Sequence, residues 1–267
     1  MCGIEDFAII SVRVELASEF RYRNPLFGKD DLVVVIGQSG ETADSVFYTL
    51  AGPEISVATT KAYRTQLVAA YLLAIEFGRV RQVLAEEEVA RLLTELMTLP
   101  EKIEKVIEDK ERIQWFAAKF ANAKDVFFVG RGIDYAICLE GSLKMKEISY
   151  IHSEAYVAGE LKHGTIILIE DGTLVIGPLI QEDLCEKTIS NMVEVKSRGA
   201  YLMGVTSYGN YSIEDTVEFT VYIPKTDKHF IASLAVIPLQ LMGYYLSVAR
   251  GLDVDKPRNL AKSVTVE

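Results

Sequence analysis

Hydrophobic and polar positions follow two regimes along the chain. From residue 126 onward short continuous apolar runs recur, at 126–129, 174–176, 201–205 and 219–223, separated by stretches with helical spacing. A continuous apolar run suits a strand covered on both faces, and strands alternating with helices imply right-handed crossovers and a parallel sheet between two helical layers. Ligands of such sheets bind at the carboxyl ends of strands, which points to the region after Gly130, Arg131 and Gly132. Residues 231–250 are mostly apolar and read as a core or dimer-packing helix. Before residue 126 the pattern is thinner. Residues 11–16 alternate as a strand, and 32–36 (LVVVI) read as a buried parallel strand feeding a loop at Gly37. Residues 66–75 are apolar all round, so a helix there has to be buried. Residues 86–119, rich in Glu, Lys and Leu around Pro100, read as two linking amphipathic helices with Trp115 and Phe116 packing inward.

Composition narrows the class. With 267 residues, 49% hydrophobic and 25% charged, the chain fits a globular protein of one or two domains. A net charge of -10 with no local cluster of Lys and Arg argues against a nucleic-acid partner. Cys2, Cys138 and Cys185 lack metal-ligand spacing and read as reduced thiols of a cytoplasmic protein. Three scattered His leave no basis for a metal site. The beginning has no basic targeting region and no apolar run reaches membrane-spanning length, so neither export nor a membrane is expected.

The chemistry is concentrated in residues 139–164. On a helix at 100° per residue, Glu140, Lys144 and Glu147 fall within about 60° of arc, beside an apolar stripe of Ile137, Gly141, Met145 and Ile148, while Lys146 points the other way, into water. Two carboxylates flanking an ammonium on a sheltered edge can have their proton affinities pushed apart, as acid/base work on a carbonyl substrate requires. His163 follows in a charged loop before Gly164 and suits a mobile second acid/base. The same spacing also suits a salt-bridged helix face followed by a solvated loop. Earlier, Gln38, Ser39 and Thr42 sit between a strand and a helix start, where backbone N–H groups and hydroxyls can hold a phosphate oxyanion; Ser39 equally suits an ordinary helix cap. After Asp255 the chain has Pro257 and no helical period, and would fray unless something held it.

The run 140–164, with Arg131 to Tyr135 before it and the segment 253–267, closely resembles the isomerase half of glucosamine-6-phosphate synthase, the glutamine:fructose-6-phosphate aminotransferases, which consists of two sugar isomerase (SIS) domains. The resemblance covers nearly the whole chain. It implies an α/β fold of two parallel-sheet sandwiches with helices on both faces, the first shortened: 1–99 the first SIS domain, 100–252 the second, 253–267 a tail. Roughly thirty residues of the family's layout are missing after Asp44, the family's first phosphate loop is missing near Gly3, and Gly37 stands where the family has Ser. The resemblance further implies that Gln38, Ser39 and Thr42 hold the sugar phosphate, and that residues 55–61, with Val57 and Thr59, touch substrate, as do Ala261 and Lys262. It assigns Glu147 to moving the proton between C1 and C2, Lys144 to the O1 proton, Glu140 to tuning Lys144, Lys262 to C2, and His163, from a second subunit, to ring opening. Taken from the residues alone, Lys262 is a surface lysine.

The implied reaction, fructose 6-phosphate to the aldose or to glucosamine 6-phosphate, is proton transfer through an enediol or enamine and needs neither metal nor organic cofactor. The implied assembly is a homodimer with a shared active site. Ammonia comes either free or from a separate glutaminase: the opening Met-Cys-Gly-Ile resembles an amidotransferase start, but the residues following Cys2 resemble a helix of the isomerase half instead, and the chain is too short to hold a glutaminase as well. Two other readings stay open, a non-catalytic SIS module that binds sugar phosphates, and a fructosamine-phosphate deglycase.

Overall fold

A computed structural model describes residues 2–20, 28, 30–37 and 44–260. Two compact units emerge, Met1–Glu54 with Lys61–Leu92, and Ile55–Thr60 with Leu93–Glu267.

The first unit is helical. Helix α1 (Cys2–Ala8) packs on α3 (Lys61–Val80), burying Phe7, Ala8, Ala74 and Ile75; α2 (Ala17–Phe20) is a single turn. The apolar stretch 66–75 is helical as expected but only Ala74 and Ile75 in it are fully buried, because seven-residue α1 cannot cover a 20-residue helix. Neither expected strand forms. Residues 11–16 and 32–36 are irregular, and Leu32 to Ile36 are 52–71% exposed. A parallel strand is held by ladders to its neighbours, and none lies beside this run among the described residues. The sandwich expected in the first half is therefore not seen there, and the described sheet belongs to the second unit.

Helix α4 (Glu86–Met97) leads to α5 (Leu99–Glu108) and α6 (Lys110–Ala118). The linking region is thus three helices and not two: Pro100 sits in the first turn of α5, where its missing N–H costs nothing, and so starts a helix instead of interrupting one. Phe116 is buried as expected, stacked on Phe219 at 4.1 Å, but Trp115 is 61% exposed under the Lys119 ammonium.

The sheet contains β1 (Asp125–Gly130), β2 (His152–Val157), β3 (Leu174–Pro178), β4 (Tyr201–Ser207) and β5 (Phe219–Ile223), ordered β2-β1-β3-β4-β5 and parallel throughout. Four of these match the apolar runs; β2, a partly exposed edge strand, is not among the expected strands. Helix α7 (Gly132–Lys144) and α9 (Ala232–Ala249) lie against one face, α8 (Glu182–Lys196) against the other, where Phe127, Val129, Val175 and Leu202 meet Met192 and Val195. Among the described residues α9 alone is long and apolar enough to cross a membrane, contrary to the expectation that no run is, but 72% of it is buried within this fold, which makes it the core helix also expected there.

Gly130 sets the distance between β1 and α7. A Cβ there would stand 2.6 Å from the Asp134 carbonyl carbon and 2.7 Å from the Tyr135 nitrogen, both backbone atoms that cannot swing aside. Gly130→Ala is therefore expected to destabilise the second unit by about 1–3 kcal/mol, read as a lower urea midpoint; an unchanged midpoint would mean strand and helix separate freely.

Candidate functional site

Helix α7 runs back along β1. Its 13 residues rise roughly 20 Å at about 1.5 Å each, matching the roughly 20 Å of a six-residue strand. Its far end therefore arrives at the amino edge of the sheet, where the first residues of β1 and β2, Asp125 and His152, pair, with the His152 Nδ1 2.7 Å from the Asp125 carboxylate. This corrects the expectation of a site at the strand carboxyl ends. The stretch starts there, after Arg131, but its charged residues lie at the other edge, and the helical rise per residue was the signal that could have shown it.

At this end α7 widens into a π-turn, Met145–Ser149, and stops at Tyr150 in the left-handed region (φ 58°). π-turns inside helices recur at functional sites because the extra residue per turn re-aims side chains. The expected apolar stripe is buried: Ile137, Met145 and Ile148 are at most 6% exposed, and a Cβ on Gly141 would meet Leu239 and Phe128. Lys144 is 4% exposed, its ammonium 2.6 Å from the Glu147 carboxylate and 3.8 Å from that of Glu140. Gln240 on α9 donates to Glu140 at 3.2 Å. Burial raises the Glu140 carboxyl above the ordinary carboxylate range, opposed by the Lys144 charge and the Gln240 bond and reinforced by Glu147. The triad expected from spacing is thus assembled, one buried cation between two carboxylates.

Beside it lies a cavity of about 410 Å³ lined by Lys146, Glu147, Tyr150, Ile151, His152 and, from the segment beyond α9, Arg258, Asn259 and Leu260. Lys146 is exposed, as expected, and contributes to the lining of the same cavity as Glu147. The segment after Asp253 does not fray over its described length: the Asp253 carboxylate accepts the N–H groups of Asp255 and Lys256, Pro257 is buried, and Arg258 binds Tyr150. Val57 donates its N–H to the Asp255 carbonyl at 3.0 Å and the Ser56 hydroxyl donates to Val254, so the expected substrate segment and this tail are tied together, with Thr59 half-buried two residues on.

His163 is elsewhere. It is exposed in a short turn, Leu161–His163, past the carboxyl end of β2, whereas Glu147 lies near the amino end of the same strand, so one strand length separates them within the chain. Gly164 (φ 148°) reverses the backbone after it. The expected residues Gln38, Ser39, Thr42, Ala261 and Lys262 lie outside the described residues. Sequence reasoning missed two neighbours of the site, Lys146 and Tyr150, and, at the opposite end of α7, the buried Asp134. Asp134, in the first turn of α7, is wholly buried, with no hydrogen-bond partner in reach of either carboxyl oxygen. Nothing in its local pattern signals burial, which follows from the close approach of α7 to β1 at Gly130.

Residues 119–250 match the SIS domain family model. The chain is 50% identical over 295 positions to a glutamine-fructose-6-phosphate aminotransferase [isomerizing] of Caldanaerobacter subterraneus subsp. tengcongensis and 51% identical to that of Clostridium tetani, in each case over 99% of the chain and 48% of the relative. Its fold superposes on the C-terminal domain of glucosamine-fructose-6-phosphate aminotransferase from Francisella tularensis with a TM-score of 0.85 and 31% identity, over 96% of this chain and 81% of that one. The chain belongs to the SIS-domain family of these aminotransferases. It spans about half the length of the curated relatives it matches. The 295 aligned positions exceed the 267 residues of the chain by 28, so the relatives hold at least that many residues with no counterpart in this SIS-family chain.

Proposed function

We propose that the chain is the sugar-phosphate isomerase half of an aminotransferase, acting on fructose 6-phosphate and yielding the aldose or, with ammonia, glucosamine 6-phosphate. The observation that carries the reading is the buried Lys144 held 2.6 Å from Glu147 on the wall of a cavity that the segment 258–260 completes. A carboxylate partnered by an ammonium in a largely apolar recess is a suitable base for a proton α to a carbonyl. In this reading Glu147 removes the proton from C1 and returns it to C2, so that C2 is reduced as C1 is oxidised and no external electron carrier takes part. The O1 proton leaves through Lys144 as the C1 carbonyl forms while O2 gains one from water, and Glu140, kept closer to neutral by burial, tunes how firmly Lys144 holds its own. Lys262 engages C2, and Gln38, Ser39 and Thr42 hold the phosphate, with Val57, Thr59 and Ala261 at the substrate.

His163 opens the sugar ring from a second copy of the chain. Its distance from Glu147 along β2 within one chain supports a site shared by two subunits. One experiment tests both readings. The purified protein with fructose 6-phosphate in deuterated water is expected to form glucose 6-phosphate, with deuterium at C2 in those turnovers in which the proton held by Glu147 exchanges with solvent before it returns, read by NMR. A non-catalytic sugar-phosphate-binding module is favoured by one observation, the missing sheet around 32–36 just before Gln38 and Ser39; binding of fructose 6-phosphate without exchange or product would decide for it.

A further inference from the structure

Tyr150 ends the helix that carries Glu147, in a conformation tyrosine rarely takes, φ 58° and ψ 20°. A β-carbon in that region is strained, so surrounding contacts have to over-determine it. They do. The Ser149 hydroxyl donates to the Met145 carbonyl at 2.6 Å and accepts from the Ile151 N–H, and the Ser247 hydroxyl on α9 donates to the Ile148 carbonyl at 2.7 Å. Hydroxyls thus replace the hydrogen bonds that the π-turn gives up. Held this way, the Tyr150 ring lies beneath the Arg258 guanidinium, 4.4 Å from the ring centroid, and its hydroxyl oxygen accepts the backbone N–H of Arg258 at 2.7 Å. Among the described residues beyond Pro257, that bond is the hydrogen bond tying the segment to the rest of the chain. Arg258, Asn259 and Leu260 then line the same cavity as Glu147.

We propose that Tyr150 is a positioning residue: a latch whose strained backbone aims its phenol at Arg258, holding the segment 258–260 as a wall of the Glu147 cavity and setting where the chain that leads to Lys262 departs. The hydroxyl recognises a backbone N–H, so the latch does not depend on the arginine side chain, which adds the cation–π contact on top. Its consequence for turnover rests on the function proposed above; its consequence for the segment does not.

The test uses the full chain with Tyr150→Asn, since asparagine tolerates the left-handed region while removing phenol and hydroxyl together. Tryptic cleavage after Arg258, followed by intact mass, is expected to run about tenfold faster than in the parent, the factor that a neutral hydrogen bond and an exposed cation–π contact amount to together. The urea midpoint of the second unit should stay where it was. Tyr150→Phe, which keeps the ring and loses the acceptor, should give an intermediate rate. In the isomerase assay kcat is expected to fall about tenfold with KM moving less. Equal cleavage rates in parent and Tyr150→Asn overturn the latch. So does a kcat loss with cleavage unchanged, which would place Tyr150 at the substrate itself. If the parent turns over no sugar phosphate, the cleavage comparison still decides the latch on its own.

Discussion

Glu147→Gln is expected to lower isomerisation of fructose 6-phosphate by two to four orders of magnitude in kcat, the usual contribution of a positioned proton carrier, while fructose 6-phosphate still binds. Gln is close to isosteric with Glu, so the cavity keeps its shape and loses only the site that takes up the proton. The substitution also leaves Lys144, 4% exposed, with Glu140 at 3.8 Å as its remaining carboxylate. A buried cation short of its partner weakens the fold, so the comparison has to be made where circular dichroism and urea midpoints show the variant folded. A second variant separates stability from chemistry: Glu147→Asp keeps the carboxylate and should recover part of the rate without moving the midpoint further. Full activity in Glu147→Gln would remove Glu147 from the reaction and with it the proposed mechanism.

The second large effect concerns pH. Asp134 is raised to about 7, chiefly because burial penalises its charged form, with a smaller push from Asp183; the Gln181 amide and the Ile180 N–H oppose the shift without either reaching hydrogen-bonding geometry with the carboxyl. A folded-state value above the unfolded one means that the native chain keeps a proton the unfolded chain has released. For an acid this makes the native state relatively stable below about pH 4 and progressively less so as pH rises towards about 7. Asp134→Asn cannot ionise and escapes that loss. Its stability advantage over the parent is expected to grow by roughly 2–3 kcal/mol between pH 5 and pH 8, at about 1.4 kcal/mol per pH unit within the titration window. Urea midpoints of the second unit at the two pH values measure it. An advantage that does not change with pH, or a variant less stable than the parent at pH 8, would mean that the carboxylate has a partner when charged.

Much of the second unit was legible in the chain. Four of its five strands announce themselves as apolar runs because a strand covered on both faces has no use for polar positions, and the 100° arithmetic brought Glu140, Lys144 and Glu147 together because residues three and four apart on a helix are neighbours whatever surrounds them. The family was legible too, through the motifs at 131–135, 140–164 and 253–267. Edge strand β2 was not, because half of it faces outward and its pattern does not separate it from a loop.

The sequence by itself determined which side chains share the helix edge and that a parallel sheet lies under it, since both follow from periodicity, which is local. Only the tertiary structure decided at which edge of the sheet that helix ends, that Lys146 and Glu147 line one cavity with the segment 258–260, that Tyr150 grips Arg258 some hundred residues away, and that LVVVI at 32–36 stands exposed without a ladder. These depend on element lengths, on close approaches such as that at Gly130, and on which neighbours are present to complete a hydrogen-bonded sheet, and none of them is encoded in the period of the residues concerned.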